Sequence, residues 1–339
     1  MKVKLLDLFS GVGGFRLGLE QAGFEIESEQ FSEIDKYAIS VYQKQFPEAE
    51  YVGSVTDISG KPGQAGIITF GSPCQDFSLA GKRAGMDGER SSLISHAIRL
   101  ISEIKPKFFI WENVKGTFSS NAGTDFWAII QAFANIGGYR LEWQLLNTSW
   151  FLPQNRERIY LVGTLGGRSE REIFPLGEDG QLSSKPLRQK TVGGGGVQVR
   201  PDRIAACLPA GYKTRVDENY IKVPPEKMGI AWSKSHRTGS TEADKRRKNY
   251  GEKGEFNTLN TGEGCRTQSS QNFVVEKSTI RRLTPIECER LQGFPDNWTQ
   301  HGHEGQEISD TQRYKMMGNA VSVPVVKAVG ENILLSTKK

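Results

Sequence analysis

The stretch VKLLDLFSGVGGFRLGLEQAG, residues 3–23, joins an apolar run to a helical pattern through a turn that contains three glycines. The run at its start is typical of a β-strand, and the apolar side chains that follow recur at helical spacing up to a closing glycine. Glycines in such a turn let the backbone approach a ligand, and the helix N-terminus favours electron-rich groups. The spacing differs from the GxGxxG dinucleotide fingerprint, which weakens a nicotinamide interpretation. The stretch therefore predicts the first strand and helix of an α/β sheet, with a nucleotide-like ligand at the turn.

The same alternation of strands and helices continues to about residue 165. Further strands are predicted at 24–33, 65–73, 107–114 and 158–165, and further helices at 35–46, 92–106 and 125–138. Strict alternation implies right-handed crossovers, which make neighbouring strands parallel. The pattern predicts an α/β domain with a mostly parallel sheet and helices on both faces.

The alternation stops near residue 166, where Gly, Ser, Thr, Lys and Arg begin to dominate. This composition predicts a second, smaller and loop-rich domain. Helical patterning returns after residue 281, and we expect the C-terminal helix to rejoin the first domain. The predicted division assigns 1–170 and 305–339 to the first domain and 171–304, with a hinge, to the second.

Charge is distributed unevenly along the 339 residues, although the net charge is only +5. Residues 166–283 contain 22 Lys and Arg against 14 Asp and Glu, whereas the remainder contains 22 against 25. A basic segment beside a slightly acidic one indicates a module that binds a polyanion, and an ordinary solvated surface is the alternative.

Cysteine usage and hydropathy limit the cellular setting. The four cysteines are far apart, form no CxxC pair and do not cluster with the four histidines, so we expect neither a disulfide framework nor a metal site. No run of apolar residues approaches membrane-spanning length, and the short N-terminal run leads into a glycine turn rather than a cleavage site. A reducing cytoplasm fits these features.

Several chemically capable side chains follow predicted strands and therefore meet at one edge of the sheet. Glu33 follows the second strand, where an acidic residue typically binds ribose hydroxyls. Cys74 lies just past a buried strand, and Glu112 ends another. Arg156 and Arg158 are separated by one residue and so face the same way as they enter a strand. A lone cysteine is more often inert and a strand-end carboxylate or arginine is often a simple ion pair, but together these groups indicate a nucleophilic site beside an adenosyl ligand.

Six segments of the chain carry a resemblance to the S-adenosylmethionine-dependent DNA (cytosine-5)-methyltransferases of bacteria and phages. They are DLFSGVGGF, GSPCQDFS, WENVKG, QNRERIYLVG, RRLTPIECERLQGFPDNW and YKMMGNAVSVP. They occur in the family's order and at approximately its spacing. The resemblance implies a Rossmann-like SAM-dependent methyltransferase domain, with residues 171–304 as its target-recognition domain.

The resemblance also implies a catalytic role for each of four residues. Attack of Cys74 at C6 of cytosine would make C5 nucleophilic enough to accept a methyl group. Glu112 would stabilise the intermediate at N3 and the 4-amino group, Arg158 would donate to O2, and Arg156 would support the thiolate and its loop. Because the cytosine lies inside a duplex, it must be flipped out. The loop after Cys74, LAGKRAGMDGER, is expected to close over the DNA.

Cofactor and substrate contacts are carried over from the family residue by residue. The implied contacts to S-adenosylmethionine and its product S-adenosylhomocysteine are Phe9, Gly11, Gly13, Glu33, Ile34, Pro73, Leu93, Asn319 and Val321, and the implied substrate contacts are Ser72, Asn113 and Thr258. The family usually has a glycine-aspartate pair near its third strand, whose carboxylate contacts the adenine amino group. Ser54 occupies that position here, and Asp57 follows three residues later. No metal is expected.

Double-stranded DNA is the expected partner, because the basic second domain can hold phosphates and read base edges. We expect a cytoplasmic monomer in a bacterial or phage-infected cell, with a cognate restriction endonuclease as a separately acting partner. A tRNA-directed cytosine-5 methyltransferase and a catalytically silent regulator that binds SAM or DNA are the alternatives. A nucleotide oxidoreductase is less favoured because the dinucleotide fingerprint is absent.

Overall fold

The computed structural model describes residues 1–71, 93–118, 123–166, 171–177, 256–257, 273–276 and 279–338. Its strands are β1 Lys2–Leu8, β2 Glu25–Ser32, β3 Glu50–Tyr51, β4 Ile67–Gly71, β5 Phe108–Val114, β6 Tyr139–Asn147, β7 Gln154–Asn155, β8 Glu157–Leu165, β9 Phe256–Asn257, β10 Phe273–Glu276 and β11 Thr279–Arg282. Its helices are α1 Gly14–Gln21, α2 Lys36–Gln45, α3 Leu93–Ile104, α4 Thr124–Asn135, α5 Pro285–Gln292, α6 Asp310–Asn319 and α7 Val323–Thr337. Short 3-10 turns follow β5 and β6 at Lys115–Phe118 and Thr148–Trp150.

Seven strands form one sheet in the order β3-β2-β1-β4-β5-β8-β6. The first five strands of this order pair in parallel, which confirms the predicted α/β fold with its mostly parallel sheet. Outside the large sheet, β7 pairs with β9 and β10 pairs with β11.

The far end of the sheet differs from the prediction of strict alternation. Strand β8 runs antiparallel to both β5 and β6, and β6 was not predicted at all. In β6, YRLEWQLLN, polar residues are interleaved with apolar ones, including Glu142, which is buried. Because a short turn rather than a crossover helix joins β6 to β8, the two strands pair antiparallel.

Helices cover both faces of the sheet and build two apolar cores. One core packs α3 and α4 against the sheet, and the other packs α1 and α7. A Cβ atom at Gly18 of α1 would approach Val326 of α7 within 2.6 Å, so the absence of a side chain there lets the two helices pack closely. The expectation that the C-terminal helix rejoins the first domain is confirmed by this contact.

Helix α5 has sequence signals at both of its ends. The Thr284 side chain accepts a hydrogen bond from the Glu287 backbone N–H, and the Glu287 side chain accepts one in return from the Thr284 N–H. Pro285 takes the first helical position, and Gly293 ends the helix at φ 82°. This capping box with a closing glycine explains why TPIECERLQG is helical.

A third apolar core joins residues after 283 to the first turn of the fold. The indole N–H of Trp298 donates to the Val12 carbonyl at 2.9 Å, and the Gln45 side chain donates to the Trp298 carbonyl at 2.7 Å. The end of the segment predicted as the recognition domain thus packs against the first domain. None of the helices that the structure describes is long and apolar enough to cross a bilayer.

Candidate active site

The turn between β1 and α1 has an unusual backbone. Phe9, Gly11 and Gly13 all have positive φ, at 51°, 54° and 85°. A bulky residue such as phenylalanine rarely adopts this conformation, so the turn is strained there. A Cβ atom at Gly11 would meet nothing within 4 Å, whereas one at Gly13 would collide with the Phe46 ring. The turn therefore needs its glycines and leaves open space beside Gly11.

Glu33 ties this turn to the next one along the sheet edge. Its carboxylate accepts hydrogen bonds from the backbone N–H groups of Gly11 at 2.9 Å, Ile34 at 2.7 Å and Asp35 at 3.0 Å. Ile34, the neighbouring residue, is 78% exposed, which is unusual for a large apolar side chain. An acidic group and an exposed aliphatic side chain thus lie together beside open space, an arrangement that fits the ribose and the ring of an adenosyl group.

Other residues predicted to bind the cofactor lie around the same turn. A Cβ atom on Gly14, the first residue of α1, would approach the Val321 side chain within 2.7 Å, so Val321 packs directly against the turn. Asn319 ends α6 two residues earlier. Leu93 and Phe9 pack against the same apolar core, from α3 and from the turn. The structure therefore packs Val321 against the turn that follows β1. The predicted contacts of these residues with the cofactor stay predictions.

Ser54 has a hydrogen-bonded neighbourhood of its own. The hydroxyls of Ser54 and Thr56 are 2.8 Å apart, and Thr56 donates to the Asp57 carboxylate at 2.9 Å. Asp57 is thus linked to Ser54 through Thr56, and a hydroxyl rather than a carboxylate occupies the position after Gly53.

Glu112 and Arg158 form an ion pair across β5 and β8, with 3.1 Å between Glu112 Oε1 and Arg158 Nε. Oε1 is buried and has no aligned hydrogen bond from any group that the structure describes, so the contact is electrostatic. Gly71 pairs directly with Glu112 in the sheet, and a Cβ atom at Gly71 would lie 3.2 Å from Glu112 Oε2. The carboxylate therefore lies at the end of β4, immediately before the segment SPC.

Tyr160 is a residue that the sequence interpretation missed. It pairs with Glu112 in the sheet and is buried. Burial raises the pKa of Tyr160, the charge of Glu112 raises it further, and Arg156 and Arg158 oppose that rise. The hydroxyl therefore keeps its proton, and no described group accepts it. The sequence did offer a signal for Tyr160: it lies two residues after Arg158 in the same predicted strand, and alternate residues of a strand share a face.

Arg156 is buried and binds backbone carbonyls. Its guanidinium donates to the carbonyls of Gly318 at 3.2 Å and Ala320 at 2.9 Å, on either side of Asn319. This arginine therefore holds the turn between α6 and α7 in place. Its predicted support of a thiolate concerns residues outside the described ranges and stays a prediction.

The Asn113 side chain stabilises local structure. Its Oδ1 accepts hydrogen bonds from the Val114 N–H at 2.7 Å and the Thr117 hydroxyl at 3.1 Å, which fixes the 3-10 turn after β5. The predicted contact of Asn113 with substrate stays a prediction.

Four predicted site residues lie outside the described residues, namely Ser72, Pro73, Cys74 and Thr258. The free cysteine that the structure does describe, Cys288, is buried in α5. Burial, together with the nearby Glu287 and Glu289 charges, raises the pKa of its thiol to about 12, although Arg313 opposes the rise. Cys288 is thus a poor nucleophile. Within the described ranges, no cluster of His, Cys, Asp and Glu could hold a metal ion.

Comparison with known families assigns this chain to one of them. A family model described as C-5 cytosine-specific DNA methylase matches residues 3–335. The chain therefore belongs to that family and is a DNA (cytosine-5)-methyltransferase.

Individual relatives agree with the assignment. The chain is 34% identical to the Type II methyltransferase M1.ScrFI of Lactococcus lactis subsp. cremoris over 98% of its own length and 78% of that protein. It is 33% identical to the Type II methyltransferase M.NlaX of Neisseria lactamica, over 97% and 96% of the two chains. The Entamoeba histolytica methyltransferase EhMeth superposes with a TM-score of 0.62 at 17% identity and full coverage of both chains. At this identity the structural match supports the fold alone.

Proposed function

We propose that this enzyme transfers a methyl group from S-adenosylmethionine to C5 of a cytosine flipped out of a specific double-stranded DNA sequence, through a covalent bond between Cys74 and C6. The observation that carries the proposal is the position of the Glu112–Arg158 pair directly beside Gly71 at the end of β4. Three residues span at most about 11 Å, so the covalent chain keeps Cys74 within reach of this pair.

The residues at the sheet edge fit an adenosyl cofactor. Gly11 leaves open space in which the cofactor could contact the protein backbone. The Glu33 carboxylate would bind the ribose hydroxyls, and the exposed Ile34 side chain would contact the adenine. Asn319 and Val321, whose turn Arg156 holds, would contact the methionine end. When bound, S-adenosylmethionine would supply an electrophilic methyl group at its sulfonium.

In the proposed reaction, side chains of the protein act on the cytosine ring. The Cys74 thiolate would form a bond to C6, which shifts an electron pair toward C5 and N3. The Glu112 carboxyl group would stabilise the intermediate at N3 and the 4-amino group, and the Arg158 guanidinium would donate to O2. After C5 accepts the methyl group, a base would remove the C5 proton, and the C5–H electron pair would re-form the C5=C6 double bond. The C6–S bond would break at the same time, with its electrons leaving on the Cys74 thiolate.

The target-recognition role is proposed for residues 171–304, with 1–170 and 305–339 as the catalytic domain. The excess of Lys and Arg in this segment supports binding to DNA phosphates. Thr258 and Ser72 would lie near the flipped base. We further propose that a restriction endonuclease acts separately beside this enzyme, because the relatives described above are named Type II methyltransferases. We also propose that the enzyme acts as a monomer.

The test is to express the chain in a host without cytosine methylation and to map 5-methylcytosine in its DNA. We expect methylation at one short recurring sequence with the wild type, none with Cys74→Ala, and wild-type levels with the matched control Cys288→Ala. An active Cys74→Ala variant would overturn the covalent route. If only RNA accepts labelled methyl groups, the substrate assignment is wrong.

Covalent attachment can be tested directly. DNA that carries 5-fluorocytosine at the mapped position cannot lose a proton from C5, so the elimination step is blocked. We expect a denaturation-resistant complex of enzyme and DNA in the wild type and in Cys288→Ala, and no such complex in Cys74→Ala. Absence of a complex with the active wild-type enzyme would contradict the mechanism.

A further inference from the structure

A row of buried polar side chains lies beneath the first turn and has no part in the reaction proposed above. It runs across five elements, from Thr69 of β4 to Asp7 of β1, Tyr42 of α2, Glu29 of β2 and Arg16 of α1. Thr69, Asp7 and Tyr42 are fully buried, and Glu29 is 8% exposed. Such a row is stable only if every contact between two oxygens contains a proton.

The Tyr42 hydroxyl contacts two carboxyl groups but has one proton. Its oxygen is 2.7 Å from Glu29 Oε1 and 3.2 Å from Asp7 Oδ2. Burial raises the pKa of Glu29, whereas the hydrogen bond from Tyr42 and the Arg16 guanidinium, 3.0 Å away, oppose that rise and favour the ionised carboxylate as an acceptor. No described cation pairs with Asp7. The Tyr42 proton therefore belongs to the shorter contact with Glu29.

The longer contact then needs a proton from Asp7. The Thr69 hydroxyl donates to Asp7 Oδ1 at 2.7 Å, which identifies Oδ1 as the acceptor and Oδ2 as the protonated oxygen. We propose that Asp7 carries a proton at neutral pH, donates it to the Tyr42 oxygen, and thereby acts as a positioning residue for the turn that binds the cofactor. The protonation does not depend on the proposed function, but the role toward the cofactor rests on it.

The electrostatic surroundings of Asp7 agree with this proton count. Burial raises the pKa of Asp7 well above its ordinary value, the charges of Glu29 and Glu33 raise it further, and the hydrogen bonds from Thr69 and Tyr42 oppose the rise. Arg16, the cation that α1 contributes, pairs with Glu29 and also with Glu20. Burial also raises the pKa of Tyr42, so the phenol keeps its proton.

The row supports the turn mechanically. Asp7 lies two residues before Phe9, where the backbone enters positive φ. The Tyr42 ring stacks on Phe31 with 4.1 Å between centroids, and it would lie 3.3 Å from a Cβ atom at Gly13. The Asp7–Tyr42 contact thus fixes the end of β1 against the helix that packs on the turn. An ionised Asp7 would place two carboxylates against one hydroxyl and weaken that contact.

Infrared spectroscopy of the wild-type protein tests the proton directly. A protonated carboxylic acid has a C=O stretch separate from the amide and carboxylate bands. We expect this band at neutral pH in the wild type and in Glu29→Gln, and its loss in Asp7→Asn, which keeps the shape and a donor. No such band in the wild type, or a band that disappears in Glu29→Gln and persists in Asp7→Asn, would overturn the proposal.

The pH dependence of unfolding provides a second test. Because the pKa of Asp7 is raised in the folded state, its contribution to stability is fully present below the unfolded pKa of about 4 and is lost as pH rises through the folded value. Folding takes up one proton within that window. We therefore expect the ratio of the wild-type unfolding constant to that of Asp7→Asn to rise about tenfold per pH unit between about pH 5 and 7. A constant ratio would show that Asp7 is ionised.

Binding of S-adenosylhomocysteine tests the positioning role. Tyr42→Phe removes the bridging oxygen and should weaken binding about three- to tenfold. Asp7→Asn should bind within about twofold of the wild type, because the amide can donate to Tyr42 and accept from Thr69. If Asp7→Asn loses as much affinity as Tyr42→Phe, the neutral proton-bearing role is wrong. If the wild type does not bind this ligand at all, the cofactor assignment fails while the infrared result still stands on its own.

Discussion

Two buried Arg–Glu pairs have different roles in this protein. Glu289 and Arg313, 0% and 8% exposed, are 3.0 Å apart, and Glu289 Oε1 also accepts from the backbone and hydroxyl of Thr299. Glu112 and Arg158, 11% and 14% exposed, are 3.1 Å apart, but Glu112 Oε1 has no aligned donor among the described groups. Each pair leaves one buried carboxylate oxygen without a hydrogen bond among the described groups, Oε2 in Glu289 and Oε1 in Glu112. The two differ in the oxygen that contacts arginine, because Glu289 Oε1 has three donors and Glu112 Oε1 has none that is aligned.

The difference between the two pairs shows that the presence of a glutamate and an arginine does not by itself define a functional site. Glu289 is held in the third apolar core, where its donors come from a loop and a helix that pack around it. Glu112 ends a central strand, and its carboxylate faces the edge where β4 also ends. The two glutamates therefore differ in the donors that the fold supplies to the oxygen that contacts arginine.

Glu112→Gln should have the largest effect. The amide cannot donate the proton that the reaction needs at N3, so we expect methyl transfer at saturating DNA to fall by about 10²- to 10⁴-fold. The free energy of unfolding should fall less than in Glu289→Gln, because the Arg158 charge that loses its partner is more exposed than Arg313. Single-turnover methylation and urea unfolding measure the two quantities. Activity within tenfold of the wild type would remove Glu112 from the mechanism.

Glu289→Gln should have the reverse profile. Neutralising one member of the buried pair leaves the Arg313 charge without its partner, which we expect to cost about 3–5 kcal/mol of stability. The rate of methyl transfer per folded molecule should stay near the wild-type value. Glu289→Gln combined with Arg313→Gln should lose less stability than the sum of the single changes. A catalytic defect at full folding would contradict the structural assignment of this pair.

Arg156→Lys should affect cofactor binding by an intermediate amount. An ammonium group cannot span the carbonyls of both Gly318 and Ala320, so the turn that carries Asn319 should lose order. We expect affinity for S-adenosylhomocysteine to fall about tenfold, or about 1.4 kcal/mol, by calorimetry. The matched control Arg290→Lys, whose exposed side chain pairs with Asp296, should bind normally. Equal affinity in both variants would show that Arg156 does not act through the turn.

Lys327→Ala should have the smallest effect. Lys327 and Glu331 are 3.7 Å apart on the exposed face of α7, at 44% and 36% side-chain exposure. Such a pair contributes no more than about 0.5 kcal/mol, and salt screens it. We expect unfolding of the variant and the wild type to coincide in high salt. A decrease of more than about 1 kcal/mol in the free energy of unfolding would contradict the expectation that this exposed pair contributes little to stability.

Much of the fold could be predicted from local pattern. Apart from the two-residue strand β3, which was not predicted, the strands and helices up to β5 follow from apolar periodicity, and α5 follows from its capping box. Strand β6 was missed because Glu142 lies where an apolar residue would be expected. Its carboxylate accepts hydrogen bonds from the backbone N–H groups of Ile173 and Phe174, which lie about thirty residues later in the chain. No local sequence pattern reveals such partners.

The sequence by itself determined the family, the parallel part of the sheet and the identity of the side chains at its edge. Those features depend on local periodicity and on the order of short motifs, which the chain carries wherever it folds. The tertiary structure decided how many donors each of the two Arg–Glu pairs receives, that Arg156 binds the turn around Asn319, and that Asp7 shares a hydroxyl with Glu29. These outcomes depend on contacts between residues far apart in the chain, and on burial, which sets both the cost of a charge and the position of a proton.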